Sequence, residues 1–204
     1  MTRKLAAIFL IAIMAALMAG CSTVRLVDSD VTAFSSWGSA PPAPGTPYRF
    51  ERLPSQQAMP AQQDSLEGLA RVALARVGME LNPPAARYSV QVAASTQVVE
   101  RFPYDGGYDG FGFGNPGVFL GGGSRGASVG LSFPMRFSEP YYKRELTILM
   151  RDLRSNQVVF ETRALHDGVW ADTGAVLPAM LDAALRGFPQ PPPGARRINI
   201  EIPR

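Results

Sequence analysis

The stretch DSLEGLARVALARVGMELNPPAARYSVQVAASTQV, residues 64–98, changes its apolar period part-way and so decides the fold class. Leu66, Leu69, Ala70, Ala73 and Val77 fall on one face of a helix of about Ser65 to Val77, the spacing of a turn with 3.6 residues. Asp64 with Glu67 three places later has the form of a capping box, and Gly78 supplies a C-terminal stop. Pro83 and Pro84 close off any continuation. From Tyr88 the period becomes two: Tyr88, Val90, Val92, Ala94 and Val98 alternate with Ser89, Gln91, Ala93, Ser95 and Gln97. That is a long strand with one buried face.

Working outward, Tyr48, Phe50 and Leu53 alternate with charged neighbours in a short strand that ends at Pro54. Alternation returns at Val129, Leu131, Phe133, Met135 and Phe137, with Pro134 favouring an edge or a bulge. Leu146, Ile148 and Met150 form a further strand, and Arg154 to Gln157 turns it into Val158, Phe160 and Thr162, a hairpin. A second helix of about Ala175 to Arg186 carries Leu177, Leu181, Ala184 and Leu185 on one side and ends at Gly187. Pro178 is tolerated there because it is expected in the first turn. Ile198, Ile200 and Ile202 then alternate with Asn199 and Glu201 in a last strand. The expected fold is α+β: a mostly antiparallel sheet of five or six strands, two helices on one face, and a Gly-aromatic loop insertion at 104–126. Leu69 and Leu181, each in the middle of an apolar helical stripe, are expected in the core.

The N-terminus reads in three parts. Arg3 and Lys4 precede the apolar run Leu5 to Met18, and small residues Ala19 and Gly20 precede Cys21. That is a secretory signal peptide over residues 1–20, whose 14-residue apolar core, Leu5 to Met18, is short of the roughly 20 residues a membrane-spanning helix needs. Leu17-Met18-Ala19-Gly20-Cys21 resembles the lipobox of bacterial lipoproteins, with Met18 where that motif usually has Leu. The resemblance implies cleavage before Cys21 and acylation of that cysteine. Residues 21–47 are then the lipidated N-terminus and a linker rich in Pro, Gly and Ser, and 48–204 the folded domain. Ser22 is not the Asp that resembles an inner-membrane retention signal in enteric bacteria, which points to the outer membrane's periplasmic face. Cys21 is the only cysteine, so no disulfide braces the fold.

The formal charge of +3 includes Arg3 and Lys4. Beyond the signal segment the charges nearly cancel, so the basic pI is no evidence for nucleic acid.

The lipobox, the segment Val27-Asp28-Ser29-Asp30 leading to Phe34 and Trp37, Asp64 to Gly78, and Tyr104 to Gly126 together resemble the proteobacterial lipoprotein family called domain of unknown function 4136. The resemblance spans nearly all of the mature chain. It implies a location and a fold and brings no activity.

Candidate chemistry is sparse. Two glycine patterns, at Gly112 to Gly117 and Gly121 to Gly126, match the dinucleotide spacing. That chemistry needs a following helix N-terminus to meet a pyrophosphate, and a strand follows here. Gly122 to Gly126 also matches a nucleophile elbow around Ser124, with Asp152 and His166 downstream, but the elbow needs a strand-to-helix turn in a largely parallel sheet. His166 is the only histidine and reads as a partly exposed structural residue. Asp105 and Asp109 lie in a turn-rich loop with too few carboxylates for calcium.

No catalytic residue, metal or cofactor is expected. The expectation is a non-enzymatic interaction module of the cell envelope, anchored to the membrane by lipid. Two surfaces are candidates for contact with an envelope protein or an anionic envelope polymer: the loop aromatics Tyr108, Phe111, Phe113 and Phe119, and the cluster Arg136, Tyr141, Tyr142, Lys143 and Arg144. Aromatics in a loop offer contact area, and glycines let the backbone adapt. The alternative is a carrier that holds lipid or glycan between sheet and helices.

Overall fold

The computed structural model describes residues 24–38, 40–100, 117–123, 126–132 and 140–203. Strands are β1 Val24–Ser35, β2 Thr46–Phe50, β3 Met79–Leu81, β4 Tyr88–Glu100, β5 Gly117–Gly123, β6 Gly126–Ser132, β7 Pro140–Asp152, β8 Val158–Gly168 and β9 Arg196–Pro203. Helices are α1 Pro54–Gln57, α2 Pro60–Arg76 and α3 Thr173–Ala184, with a 3-10 turn at Pro83–Ala85. The chain divides into two compact units, one of Met1–Ser95, Arg144–His166 and Asp172–Arg204, the other of Thr96–Lys143 and Asp167–Ala171.

The expectation of a mostly antiparallel sheet of five or six strands with two helices is corrected. Seven strands form one mixed sheet in the order β3-β2-β4-β7-β8-β1-β9, and the described residues form three α-helices. Strand β2 runs parallel to both neighbours, with Thr46 to Tyr48 beside Met79 to Leu81 and Tyr48 to Phe50 beside Tyr88 to Val90. Parallel neighbours need a crossover of a dozen or more residues, and α1 with α2 supplies it. A five-residue and a three-residue strand carry too little alternation to show direction in sequence. β1, antiparallel to both β8 and β9, lies where the sequence suggested only an N-terminal linker. Its alternation is disguised: Ser29 is buried with Val27 and Val31, while Leu26 and Phe34 face out.

The loop insertion is also partly strand. β5 and β6 pair antiparallel as a separate two-stranded sheet, so Gly117–Gly123 is extended, and the alternation around Val129 belongs to this hairpin rather than to the main sheet. Tyr104 to Pro116, Ser124, Arg125 and the end of the expected strand past Ser132 lie outside the described residues.

Both long helices start earlier than expected. α2 begins with Pro60 at its first position, so Asp64 and Glu67 sit inside the helix rather than at its cap. Its buried residues are Gln63, Leu66, Glu67, Ala70, Ala73 and Leu74; Leu69 is only half-buried. The stripe is rotated because Glu67 turns inward to an arginine. α3 is capped by Asp172, whose carboxylate accepts from the Ala175 amide at 3.1 Å. This puts Pro178 at the sixth helical position, past the first turn. Gly78 and Gly187, the expected stops, both have the positive φ that favours glycine, 85° and 89°. A Cβ on Gly78 would come within 3.3 Å of Pro44.

The core lies between sheet and helices. Leu146, Ile148 and Met150 of β7, Phe160 and Ala164 of β8, and Val27 and Val31 of β1 meet Val176, Met180 and Leu181 of α3, all fully buried. Tyr48, Val90 and Val92 pack with Ala70 and Leu74 at the other side. The two helices are joined by Arg76 and Asp182 at 2.6 Å. The hairpin between β7 and β8 is closed as the sequence indicated, with Asn156 at φ 59° in the turn.

Candidate functional site

Of the expected contact residues, the structure describes Phe119 and Tyr141 to Arg144. Tyr108, Phe111, Phe113 and Arg136 lie outside the described residues, as does Cys21. Phe119 falls in β5, paired with Gly130. Along β7, Tyr141 and Tyr142 are half-buried and Lys143 is exposed. Arg144 is inward, 1% exposed.

Arg144 has the parity of Leu146, Ile148 and Met150, so its side chain stands on the helix face of the sheet. There its Nε and Nη2 donate to the Thr173 hydroxyl at 3.2 and 3.0 Å, at the first residue of α3. From β1, Arg25 reaches the Asp172 carboxylate at 3.3 Å. The Asp172 carboxyl is held below the usual carboxylate range, first by the Ala175 amide and then by Arg25. Two arginines from two strands thus converge on the positive end of one helix, where the capping aspartate balances them. His166, 3% exposed, completes this end of the sheet, its Nδ1 2.6 Å from the Asp28 carbonyl. It is buried rather than partly exposed.

Asp152 is committed elsewhere. Its carboxylate accepts from the Arg154 amide at 2.8 Å and lies 3.7 Å from Arg87. Ser124 lies outside the described residues. Among the described residues no group of three or more His, Cys, Asp or Glu is placed to hold a metal ion.

A second polar cluster, missed in sequence, fastens α2 to the sheet. Arg52 binds Glu67 through two bonds of 2.7 Å and Asp64 at 2.6 Å, geometry in which a planar guanidinium fits a carboxylate. Gln63 donates to Glu67 and to the Val92 carbonyl, each at 3.1 Å. Asp64 and Glu67, read from sequence as a helix cap, were the available signal. Their basic partner stands 12 and 15 residues earlier, too far for local spacing to reveal. An open groove of about 780 Å³ runs between α2 and β3, lined by Arg71, Val72, Ala75, Met79 and Leu81 among others. Charged and apolar side chains mix along it, with no convergent polar set.

A profile of the family described as Domain of unknown function (DUF4136) matches residues 27–190. The chain belongs to that family. The match covers β1 from Val27 through the residues after α3, and leaves β9 outside. No curated protein matches the chain. Among solved structures, a PDZ domain protein from Parabacteroides distasonis is 8% identical with a TM-score of 0.47 over 87% of this chain, which spans 39% of that protein. Two PelC dodecamers from Paraburkholderia phytofirmans are 15% and 16% identical, with TM-scores of 0.44 and 0.40. They align over 76% and 77% of this chain and 95% and 94% of theirs. Likenesses of that size carry no argument about function. Membership of DUF4136 therefore brings no activity, and the polar clusters described above serve the packing of helices on the sheet.

Proposed function

We propose that this DUF4136 chain is a lipoprotein of the bacterial envelope, cut before Cys21, acylated there and held on the periplasmic face of the outer membrane as a non-enzymatic interaction module. The observation that carries the reading is the join between sequence and fold. The lipobox resemblance ends at Cys21, and β1 begins at Val24. Only Ser22 and Thr23 separate the two. At about 3.5 Å per residue, that tether holds the first strand within roughly 10 Å of the acyl chains. Each buried methylene adds about 0.8 kcal/mol, so several chains make the anchorage effectively permanent. Among the described residues no helix is long and apolar enough to cross a membrane, and an acyl anchor requires none.

The interaction reading is preferred to the carrier reading because the space a carrier would use is filled. Ile148, Met150, Phe160, Met180 and Leu181 meet where a lipid or glycan would lie between sheet and helices. The Gly-aromatic tract and the exposed Lys143 remain the surfaces proposed for an envelope protein or an anionic envelope polymer. Cys21→Ala in cells fed labelled palmitate tests the anchor: the label is expected to vanish from the variant, and its persistence refutes the assignment. Density-gradient fractionation should place the wild type with outer membranes.

A further inference from the structure

We infer that two copies of this chain join edge to edge through β9, extending the seven-stranded sheet across a two-fold axis at Asn199. Among the described residues β9 has a strand on one side only. An eight-residue strand with an open edge presents a row of amides and carbonyls ready to pair, whereas β3 at the other end of the sheet has three residues.

The sequence of β9 selects the occupant. Arg197, Asn199 and Glu201 stand on the face away from the helices, while Ile198 and Ile200 stand on the helix face opposite Ser29 and Val27. In an antiparallel pair related by a two-fold axis perpendicular to the sheet, both copies keep these faces on the same sides. Centred on Asn199, the register sets Arg197 of each copy against Glu201 of the other and Ile198 against Ile200. Opposite charges and apolar pairs at facing positions stabilise an antiparallel ladder, and like charges there destabilise it. Shifting the centre to Ile198 sets Arg197 against Asn199, and shifting it to Ile200 sets Asn199 against Glu201. Centres at Arg197 or Glu201 bring like charges together. Only the Asn199 centre makes both ion pairs. Arg197 already holds Asp30 of its own β1 at 2.9 and 3.0 Å. The row across the interface therefore alternates Asp30, Arg197, Glu201, a pattern that a bare edge would leave unfinished. Because β9 lies beyond residues 27–190, this surface is a feature of the chain rather than of the matched family region. It requires neither the anchor nor the envelope partner proposed above.

The test uses the mature chain in mild detergent, with mass measured by sedimentation or mass photometry. Wild type is expected as a dimer. Arg197→Glu alone faces Glu201 with glutamate, and Glu201→Arg alone faces Arg197 with arginine, so each variant should associate at least about tenfold more weakly. An equal mixture of the two makes both facing pairs complementary again and should restore dimers. That recovery is one that misfolding cannot imitate. Asn199→Cys, at the axis, should give a disulfide-linked dimer when the purified chain is treated with a mild oxidant, since facing strand residues lie about 4.5 to 5.5 Å apart between Cα atoms. Arg197→Cys or Glu201→Cys alone should not. A monomeric wild type overturns the inference. So do single variants that stay dimeric, a mixture that stays monomeric, or higher oligomers that survive both substitutions. A disulfide dimer of the wild type would instead expose a free Cys21 thiol and count against the anchor.

Discussion

In the β3-β2-β4 side of the sheet the strands run parallel and two of the three are short, whereas β7, β8, β1 and β9 are long and joined by a hairpin and antiparallel ladders. The two sides hold their helices differently. α3 sits on an apolar bed, with Val176, Met180 and Leu181 fully buried. α2 is tied by polar bonds, through Arg52 to Glu67 and Asp64 and through Gln63 to the Val92 carbonyl. Long alternating strands offer a continuous apolar face, so burial holds the body of α3 on them while Arg25 and Arg144 fasten only its first turn. Short parallel strands offer less, and directional hydrogen bonds fix the crossover helix instead. Breaking the apolar side should therefore cost more than breaking the same residue type on the polar side.

The sharpest form of that contrast is Leu181→Ala against Leu69→Ala. Truncating a buried Leu costs about 2 to 5 kcal/mol, more where the site cannot collapse. Leu181 should fall in that range by denaturant titration. Leu69, half-buried beside the tied face of α2, should lose under about 1.5 kcal/mol, and Leu74, fully buried on the same helix, should exceed it. Equal losses at Leu69 and Leu181 would erase the difference between the two sides.

Trp37 links the sides, since its ring meets Tyr88 of β4 at 5.7 Å, Phe160 of β8 at 5.9 Å and Phe188 at 5.6 Å. Its indole N–H donates to the Pro189 carbonyl at 2.7 Å. Each aromatic pair is worth about 0.5 to 1.5 kcal/mol beyond the area it buries, so Trp37→Ala should cost about 2 to 4 kcal/mol. Hydrogen exchange should then speed in β4 and β8 together. A response confined to one of them would mean that Trp37 does not couple the sides.

The same contrast explains what sequence could reveal. The β7–β8 hairpin, the 3.6-residue stripe of α3 and the final strand were legible because burial there repeats with a fixed period. β1 was not, because Ser29 takes an inward place and Leu26 and Phe34 take outward ones. The one-faced strand expected over Tyr88 to Val98 is corrected: Ser89 is buried together with Tyr88, Val90 and Val92, and Val98 is exposed. The inward Arg144 was legible in principle from its parity with Leu146, yet its charge drew it into a surface cluster. The direction of β2, and the tie between Arg52 and Glu67, depend on partners brought together only by folding.

On the parallel side, Tyr48 offers a smaller test. Burial pushes its phenol up to about 12, because the phenolate would lose its hydration. The folded value lies above the ordinary value of about 10, so the stabilising contribution is complete below pH 10 and is lost as pH rises towards 12. Wild type should lose stability over that window, and Tyr48→Phe should lose less. At neutral pH the variant should match or exceed wild type by up to about 1 kcal/mol, since the buried hydroxyl has no hydrogen-bond partner among the described residues. A clear loss at neutral pH would show that the hydroxyl is bonded in solution.

The smallest effect belongs to the cap of α3 on the antiparallel side. Asp172 is held below the usual carboxylate range, first by the Ala175 amide and further by Arg25. A folded value below the unfolded one means that its contribution is present above about pH 4 and is lost as pH falls through the folded value. Asp172→Asn keeps an oxygen that can accept from the Ala175 amide but removes the charge. It should retain most of the stability at pH 7 and show a flatter acid limb. Asp172→Ala removes the acceptor as well and should be weaker than Asn across the whole range, because the amide at the start of α3 then lacks a partner. α2 has no side-chain cap to lose, since Met59 precedes Pro60, so the same pair of substitutions has no counterpart on the parallel side. If Asn and Ala prove equally weak at pH 7, the charge towards Arg25 matters more than the cap. The start of α3 would then be fastened by ion pairing, as α2 is, and the contrast between the two sides would narrow at that one point.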